Sequence, residues 1–377
     1  MMKLEFQEIQ SKKIVNVHKH VDGPWFWTKY SAHPYIGCRS GCEFCYFRSG
    51  WYLGRRDPDS FDTLIQVKTN AVELLRKELA RLGPDVIFCG DWQQPAEDRY
   101  RLSRAMLEVV NEMQFPLFVV ERSPLLVRDL DLLQNIQRST WASVVYSISN
   151  LDPALKQAFE PRSPGLQPRL QAIRLLADAG IAVGVTLMPV IPYLGDDAKH
   201  LEAVILAAKD HGARFVIAGG MTMDGNQAER TLAAAGKVDA AVEARWREAY
   251  NQEKGAQPSS ANSYTAKLGR LVRELCLKHG LLDRMPRYIP KGPLAANKCI
   301  AEQLFLKTYD LELEGALSQR VWAYRKAAWT VDELEESIAD LYVKQGDAGL
   351  KTLPGLGDRL AAQIAAWLRE FIPQVAQ

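Results

Sequence analysis

Gly37-Cys38-Arg39-Ser40-Gly41-Cys42-Glu43-Phe44-Cys45-Tyr46 is the stretch on which the reading of this chain turns. Its cysteines have CxxxCxxC spacing, and an aromatic residue follows the third. Thiolates on so tight a loop converge on one centre, and Gly37 and Gly41 permit the wrapping. A four-iron cluster has four metal corners; this loop fills three of them and leaves one iron open to an outside ligand. A structural zinc site also accepts cysteines at such spacings. It needs a fourth ligand, for which His33 or Cys89 is available.

Outward from the loop, short β-rich runs alternate with amphipathic stretches to about residue 220. Strands are expected to end near Gly37 and to run over Asp85–Cys89, Pro116–Val120, Trp141–Ile148, Ile181–Leu187 and Arg214–Ala218. Leu64, Val67, Ala71, Leu74, Leu75, Leu79 and Leu82 fall at helical spacing, and Leu102, Ala105, Val109 and Met113 repeat it. Ser123-Pro124 reads as an N-cap with proline in the first turn, and Asp178-Ala179-Gly180 as a helix end. Parallel strands need such helical crossovers, so the fold class is α/β, either doubly wound or an open barrel. In both, the loops at the carboxyl ends of the strands carry function, and the cysteines lie after the first strand. Beyond about residue 225 the pattern turns helical, over 230–250 and then from Ser259/Ser260 to Lys278. A proline- and glycine-rich stretch from Met285 to Pro293 separates a helical end.

The remaining composition narrows the class. The chain has 377 residues, 47% hydrophobic and 24% charged, which suits a globular protein with a full core. A net charge of +2 gives no global basic field, although residues 12–20 carry a local run (Lys12, Lys13, His18, Lys19, His20). Outside the cluster, Cys89, Cys276 and Cys299 are scattered, so metal or redox chemistry in a reducing, cytoplasmic compartment is expected rather than a disulfide framework. Lys3, Glu5 and Glu8 interrupt the N-terminus, leaving no signal-peptide core. No run of about 18 apolar residues occurs, so no membrane partner is expected.

Beside the cysteines stand further segments: His33-Pro34-Tyr35, Arg128-Asp129-Leu130-Asp131-Leu132-Leu133, Ser147-Ile148-Ser149, Glu160-Pro161-Arg162, Arg169-Leu170, Ala179-Gly180-Ile181 and Met188-Pro189-Val190-Ile191-Pro192. Together, over roughly residues 30–220, they resemble the radical S-adenosylmethionine (radical SAM) superfamily and, within it, its spore photoproduct lyase-like branch. The resemblance implies a partial (β/α)6 TIM-type barrel with a helical C-terminal extension. It also implies a [4Fe–4S] cluster on Cys38, Cys42 and Cys45, whose open iron chelates S-adenosylmethionine. One electron then breaks a carbon–sulfur bond and releases a 5′-deoxyadenosyl radical. By position, Gly90 and Asp91 would approach the cosubstrate's amino group and Ser147 and Ser149 its ribose. Glu160 and Arg162 would serve its polar end, and Tyr46 would join the cofactor-binding set. Cys89 stands where that branch carries a hydrogen-atom donor to the product radical; its bland reading is a buried small hydrophobe. The following Gly90-Asp91-Trp92-Gln93-Gln94-Pro95 departs from much of the branch, which puts the substrate in doubt more than the cofactor. A reductant such as flavodoxin or ferredoxin is the implied electron source.

Near the C-terminus, Leu353-Pro354-Gly355-Leu356-Gly357 lies between helical segments at about 332–344 and 358–370, with Leu360, Ala361, Ile364, Ala365 and Leu368 on one face of the second. This resembles a helix-hairpin-helix, in which glycines (here Gly355 and Gly357) let the chain approach a DNA or RNA phosphate and a helix N-terminus offers amide donors. Lys351, Arg359 and Arg369 are offset by Asp347, Asp358 and Glu370, so the electrostatic part of such binding is weak. Trp25, Trp27, Tyr30, Tyr46, Trp51 and Tyr52, with Arg39, Arg48, Arg55 and Arg56, either clamp a base or wall a core; Trp25 and Trp27 are expected in the core.

The chain therefore divides into an extension (1–24), a barrel core (25–284) and a helical region (285–377) with a hairpin at about 332–370. The expected function is a radical SAM enzyme acting on nucleic acid or a nucleotide, in repair or modification. Two alternatives stand: the same cofactor chemistry on a peptide or small metabolite, and a non-catalytic iron–sulfur or zinc nucleic-acid-binding protein.

Overall fold

The computed structural model describes residues 3–21, 26–223, 225–252 and 262–375. The strands among them are β1 (Glu5–Ile9), β2 (Val15–Val17), β3 (Tyr30–Ala32), β4 (Tyr35–Ile36), β5 (Leu64–Lys68), β6 (Ile87–Gly90), β7 (Leu117–Glu121), β8 (Ala142–Ser147), β9 (Ala182–Leu187) and β10 (Phe215–Ala218). Seven form one sheet in the order β10-β9-β8-β7-β6-β3-β2. All its neighbours pair parallel except β2, which runs antiparallel to β3 at the edge. Helices Ala71–Leu79, Leu102–Glu112, Leu130–Ser139, Leu166–Asp178 and Ala198–Asp210 intervene between successive strands from β5 to β10. The result is the expected α/β partial barrel of six parallel strands.

The strands' alternation separates two faces. Ile87, Leu117, Val119, Val144, Val183 and Val216 join one buried cluster with Leu75, Met106, Leu107, Leu133, Ile173 and Val204 of the helices. Phe88, Phe118, Ser143, Val145, Ser147, Gly184 and Thr186 occupy the opposite, interior face. Room is tight there: a Cβ on Gly184 would come within 2.5 Å of the Phe215 ring.

The structure departs from expectation in two places. The strand before the cysteines is split at His33-Pro34: β3 belongs to the barrel, whereas β4 pairs antiparallel with β5 in a separate sheet of order β1-β5-β4. Leu64 and Val67 lie on β5 and not on a helix, which starts only at Ala71. A spacing of three satisfies a helix, but Ile65 and Val67 are the buried members of an alternating pattern, and β1 offers a parallel partner. The N-terminal stretch thus supplies two strands.

Residues up to His18 together with Thr28–Arg284 form one compact unit; Lys19–Trp27 and the chain from Met285 onward form another. In the second, Ala295–Leu313, Ser318–Asp332, Ile338–Lys351 and Asp358–Val375 are helices. Trp27, 2% exposed, packs at 5.3 Å from Phe305 under the Arg287 guanidinium, and its indole donates to the Met285 carbonyl at 2.9 Å. It is a core residue, as expected. Trp25 and the Ser259/Ser260 helix start lie outside the described residues. No helix among the described residues is long and apolar enough to cross a membrane.

Candidate active site

The cysteine loop leaves β4 through two positions that only glycine suits. Gly37 has φ +93°, and a Cβ there would stand 2.8 Å from the Phe61 carbonyl oxygen; Gly41 has φ +55°, and its Cβ would stand 2.5 Å from Arg162 Nη2. Backbone bonds turn the loop tightly: Gly41 N–H donates to Cys38 O and Cys45 N–H to Cys42 O, both at 3.2 Å. Buried Asp62 is the hub behind it. Its carboxylate pairs with Arg48 at 3.2 Å and with Arg162, and its carbonyl accepts from Arg39 Nη1 at 3.2 Å. From helix Gly225–Gly236, Gln227 donates to Phe44 O at 3.0 Å, Thr231 Oγ1 to Glu43 O at 3.1 Å and Arg230 Nε to the Glu43 carboxylate at 2.8 Å.

Cys38 and Cys42 are buried and Cys45 half-buried, and all three are free thiols. Burial pushes each thiol up to about 12, with neighbouring negative groups adding to it and Arg122 opposing it at Cys42 and Cys45. Each feels at least one of the others electrostatically, so the three share one space. Thiols held neutral by burial become thiolates when a metal replaces their protons. Three soft donors on one loop fit an iron–sulfur cluster with an unfilled corner. Among the described residues, no three His, Cys, Asp or Glu side chains gather tightly enough for a single metal ion. Neither proposed fourth zinc ligand joins them: His33 Nδ1 donates to the Gly90 carbonyl at 3.3 Å, and Cys89 packs elsewhere.

Around the loop, the structure gathers some of the residues singled out in the sequence and leaves others aside. Gly90 ends β6 and Asp91 follows it, and Asp91 (φ +54°) turns its carboxyl to the Cys38 thiol. Burial raises the Asp91 pKa, with Arg122 and the Cys38 contact opposing. Tyr46, 47% exposed, lies tilted against Phe47 at 4.3 Å and meets Tyr52 edge-on at 5.1 Å. Ser147 and Ser149 are buried at the end of β8; Ser147 Oγ bonds Thr186 Oγ1 at 2.9 Å, and Ser149 Oγ donates to Met188 O at 3.4 Å. Glu160 is turned to internal partners: Arg169 at 2.7 Å, the Ser163 hydroxyl at 3.1 Å and Arg122 at 3.6 Å. Burial would raise its pKa, but Arg169 and Arg122 hold it below the ordinary value. Arg162 is committed to Asp62 against Gly41. Cys89 shares the helix-facing side of the sheet with Ile87 and Val119 and is 1% exposed, so strand alternation aims its thiol away from the barrel interior.

Sequence reasoning missed Arg122, at the end of β7. Burial disfavours its charge, but Cys42, Glu160, Asp91 and Cys38 outweigh that and raise its pKa. Its buried Nε has no hydrogen-bond acceptor but lies 3.6 Å from the Glu160 carboxylate, which fixes a cation beside the thiols. Asp62 and Gln94, which accepts from the Arg39 amide at 3.0 Å, were also missed, while Arg48, one of the arginines offered as a base clamp, is buried against Asp62. The one available signal was Arg122's place at the carboxyl end of a barrel strand.

In the second unit, Leu353-Pro354-Gly355-Leu356-Gly357 joins Ile338–Lys351 to Asp358–Val375. Leu353, Leu356, Leu360, Ala361, Ile364, Ala365 and Leu368 are all buried, whereas Gly355 (φ +79°) and Gly357 face open space. Lys351 pairs with Asp358 at 2.6 Å, so the turn is nearly neutral.

Comparison with known proteins places this geometry. A family model described as the Radical SAM superfamily matches residues 33–222. An uncharacterized protein of Mycobacterium tuberculosis is 28% identical over 284 residues, which are 74% of this chain and 82% of that protein. A protein of Pseudomonas phage M6 named Radical SAM Nalpha-GlyT isomerase is 30% identical over 208 residues, 52% of this chain and 41% of its own. Among solved structures, a spore photoproduct lyase variant is similar with a TM-score of 0.49 and 12% identity, covering 71% of this chain and 79% of that one.

Proposed function

The chain belongs to the radical SAM superfamily, and from that premise we propose that it cleaves S-adenosylmethionine reductively at a [4Fe–4S] cluster on Cys38, Cys42 and Cys45 and acts on a nucleic acid or nucleotide. The observation that carries this is the loop itself: three unpaired thiols sharing one space, hinged on two glycines beside the carboxyl edge of a parallel sheet. Held by the thiolates of Cys38, Cys42 and Cys45, such a cluster would supply one-electron reduction of the sulfonium.

The chain's own groups do the rest. Arg122 offers a fixed cation at the mouth of the barrel for a carboxylate, and the Gly90–Asp91 turn offers acceptors for an ammonium. Ser147 and Ser149 border the ribose region. Glu160 and Arg162 act one step back: the Glu160–Arg169 pair ties the segment after β8 to the Ser147 carbonyl, and Arg162 braces Gly41. A packed interior keeps water from a reactive radical. The nucleic-acid part rests on the hairpin, whose open glycines and helix N-terminus suit a phosphate backbone. The phage relative is named as a GlyT isomerase; that name adds no substrate here beyond the superfamily chemistry.

Anaerobic reconstitution with iron and sulfide, reduction and addition of S-adenosylmethionine should release 5′-deoxyadenosine. Cys42→Ala should lose the cluster's visible absorbance and lower that release at least about 100-fold. A stoichiometric zinc ion in the purified chain, with no release, would overturn the reading.

A further inference from the structure

We propose that Tyr193 and Arg245 form the site that receives an unpaired nucleobase of the substrate together with its phosphate. This deepens the function proposed above and rests on it. Tyr193 lies in the loop after β9, at the carboxyl edge of the barrel, and its φ of +64° falls in the left-handed region that suits glycine. Two backbone bonds close the turn around it: Leu194 N–H at 3.2 Å and Gly195 N–H at 3.0 Å both donate to the Ile191 carbonyl. A glycine would close the same turn without strain, so what the tyrosine contributes is its side chain. The residue is 52% exposed. From helix Ala240–Gln252, the Arg245 guanidinium lies 4.6 Å from the centre of its ring.

Both partners are anchored beside the cysteine loop. Ile191 and Leu194, on either side of the tyrosine, and Trp246, next to Arg245, pack in one cluster with Cys42, Phe44 and Cys45. The neighbouring charges leave Arg245 to a ligand. Arg247 pairs with Glu243 at 3.0 Å and Glu229 at 3.2 Å, Asp196 accepts from the Tyr264 hydroxyl at 2.9 Å, and Asp197 holds His200. Exposed Arg245 has no carboxylate partner among the described residues. A flat ring beside an uncompensated guanidinium suits a base with its phosphate: the base stacks on the ring and the phosphate meets the cation. S-adenosylmethionine fits this pair less well, because its one anion, a carboxylate, is assigned above to Arg122. An acidic peptide would satisfy the arginine and leave the ring bare. Within a duplex both faces of a base are covered by its neighbours, so the base must be unpaired or turned out.

The test uses the full chain, reconstituted anaerobically, with a fluorescein-labelled single-stranded DNA of about ten nucleotides, the same sequence as a duplex, and an acidic peptide of equal charge. The single strand should bind about tenfold tighter than the duplex. Tyr193→Gly should remove about that factor, while Tyr193→Phe stays within about twofold of the unmodified chain. Because glycine relieves the turn, Tyr193→Gly should unfold at the same or a higher urea concentration. Should it prove destabilised, Tyr193→Asn, which also tolerates this backbone, decides. Arg245→Gln should make the log–log salt slope shallower by about one. Single-strand binding that ignores the loss of the ring overturns the proposal, and so does displacement of the strand by an equal concentration of the peptide. Weaker binding of S-adenosylmethionine to Tyr193→Gly, with strand binding intact, would make the ring a cosubstrate contact and overturn it too. Release of 5′-deoxyadenosine by the unmodified chain is scored separately. Its absence brings down the function proposed above and this site with it; release alongside strand binding indifferent to Tyr193 sinks this site alone.

Discussion

Gly41 shows how much one missing carbon atom contributes. With φ +55° and a Cβ that would sit 2.5 Å from Arg162 Nη2 and 2.7 Å from Asp62 Oδ2, alanine there meets both backbone strain and a displaced ion pair. Gly41→Ala should lower stability by about 1–3 kcal/mol in urea titrations and reduce the iron retained after reconstitution. Cys89 gives the opposite lesson. A thiol at the carboxyl end of a barrel strand invites a hydrogen-donor role, but its side chain belongs to the helix-facing core. Cys89→Ala should cost about 1 kcal/mol and leave both 5′-deoxyadenosine release and the product unchanged. A shifted product distribution in that variant would return Cys89 to the mechanism.

Individual elements were legible where local pattern decides them. Strands β6 to β10 follow from apolar runs between helical periods, and the hairpin's buried leucines follow from their spacing. What the sequence could not show is which distant residues close around the loop. Arg230 and Glu43 are 187 positions apart, and Arg162 meets Asp62 only because the fold stacks two loops. Leu64–Lys68 satisfies a helical spacing because its partner, β1, lies 59 positions upstream, where no periodic signal marks the pairing. The hairpin can be tested as an element. A side chain on Gly357 meets nothing within 4 Å, so Gly357→Val should fold normally yet hold a phosphate backbone away. In gel-shift titrations it should weaken binding to duplex or single-stranded DNA about tenfold. With Lys351 tied to Asp358, the unmodified chain's log–log salt slope should stay shallower than about −3.

Stability against pH belongs to the whole molecule. His33 is packed against Phe88; burial first, then the Lys68 charge, lower its pKa from 6.5 to about 4. An unfolded chain protonates this imidazole near 6.5, whereas the folded chain resists until about 4. Between those values the unfolded state binds more protons, so stability is full above 6.5 and falls as the pH drops toward 4. The loss should reach about 3 kcal/mol, visible as a falling urea midpoint between pH 7 and 4.5, and His33→Gln should flatten it.

Trp27 is made early and housed late. Its neighbours Met285, Arg287 and Phe305 leave the ribosome only after the whole barrel segment, roughly 15 to 60 s afterwards at ordinary synthesis rates. Through that interval a large apolar ring waits in the nascent chain without its shell. Maturation of the second unit is thereby tied to completion of translation, and a transcript cut short before codon 305 should yield a product that chaperones and proteases recognise by this one unburied indole.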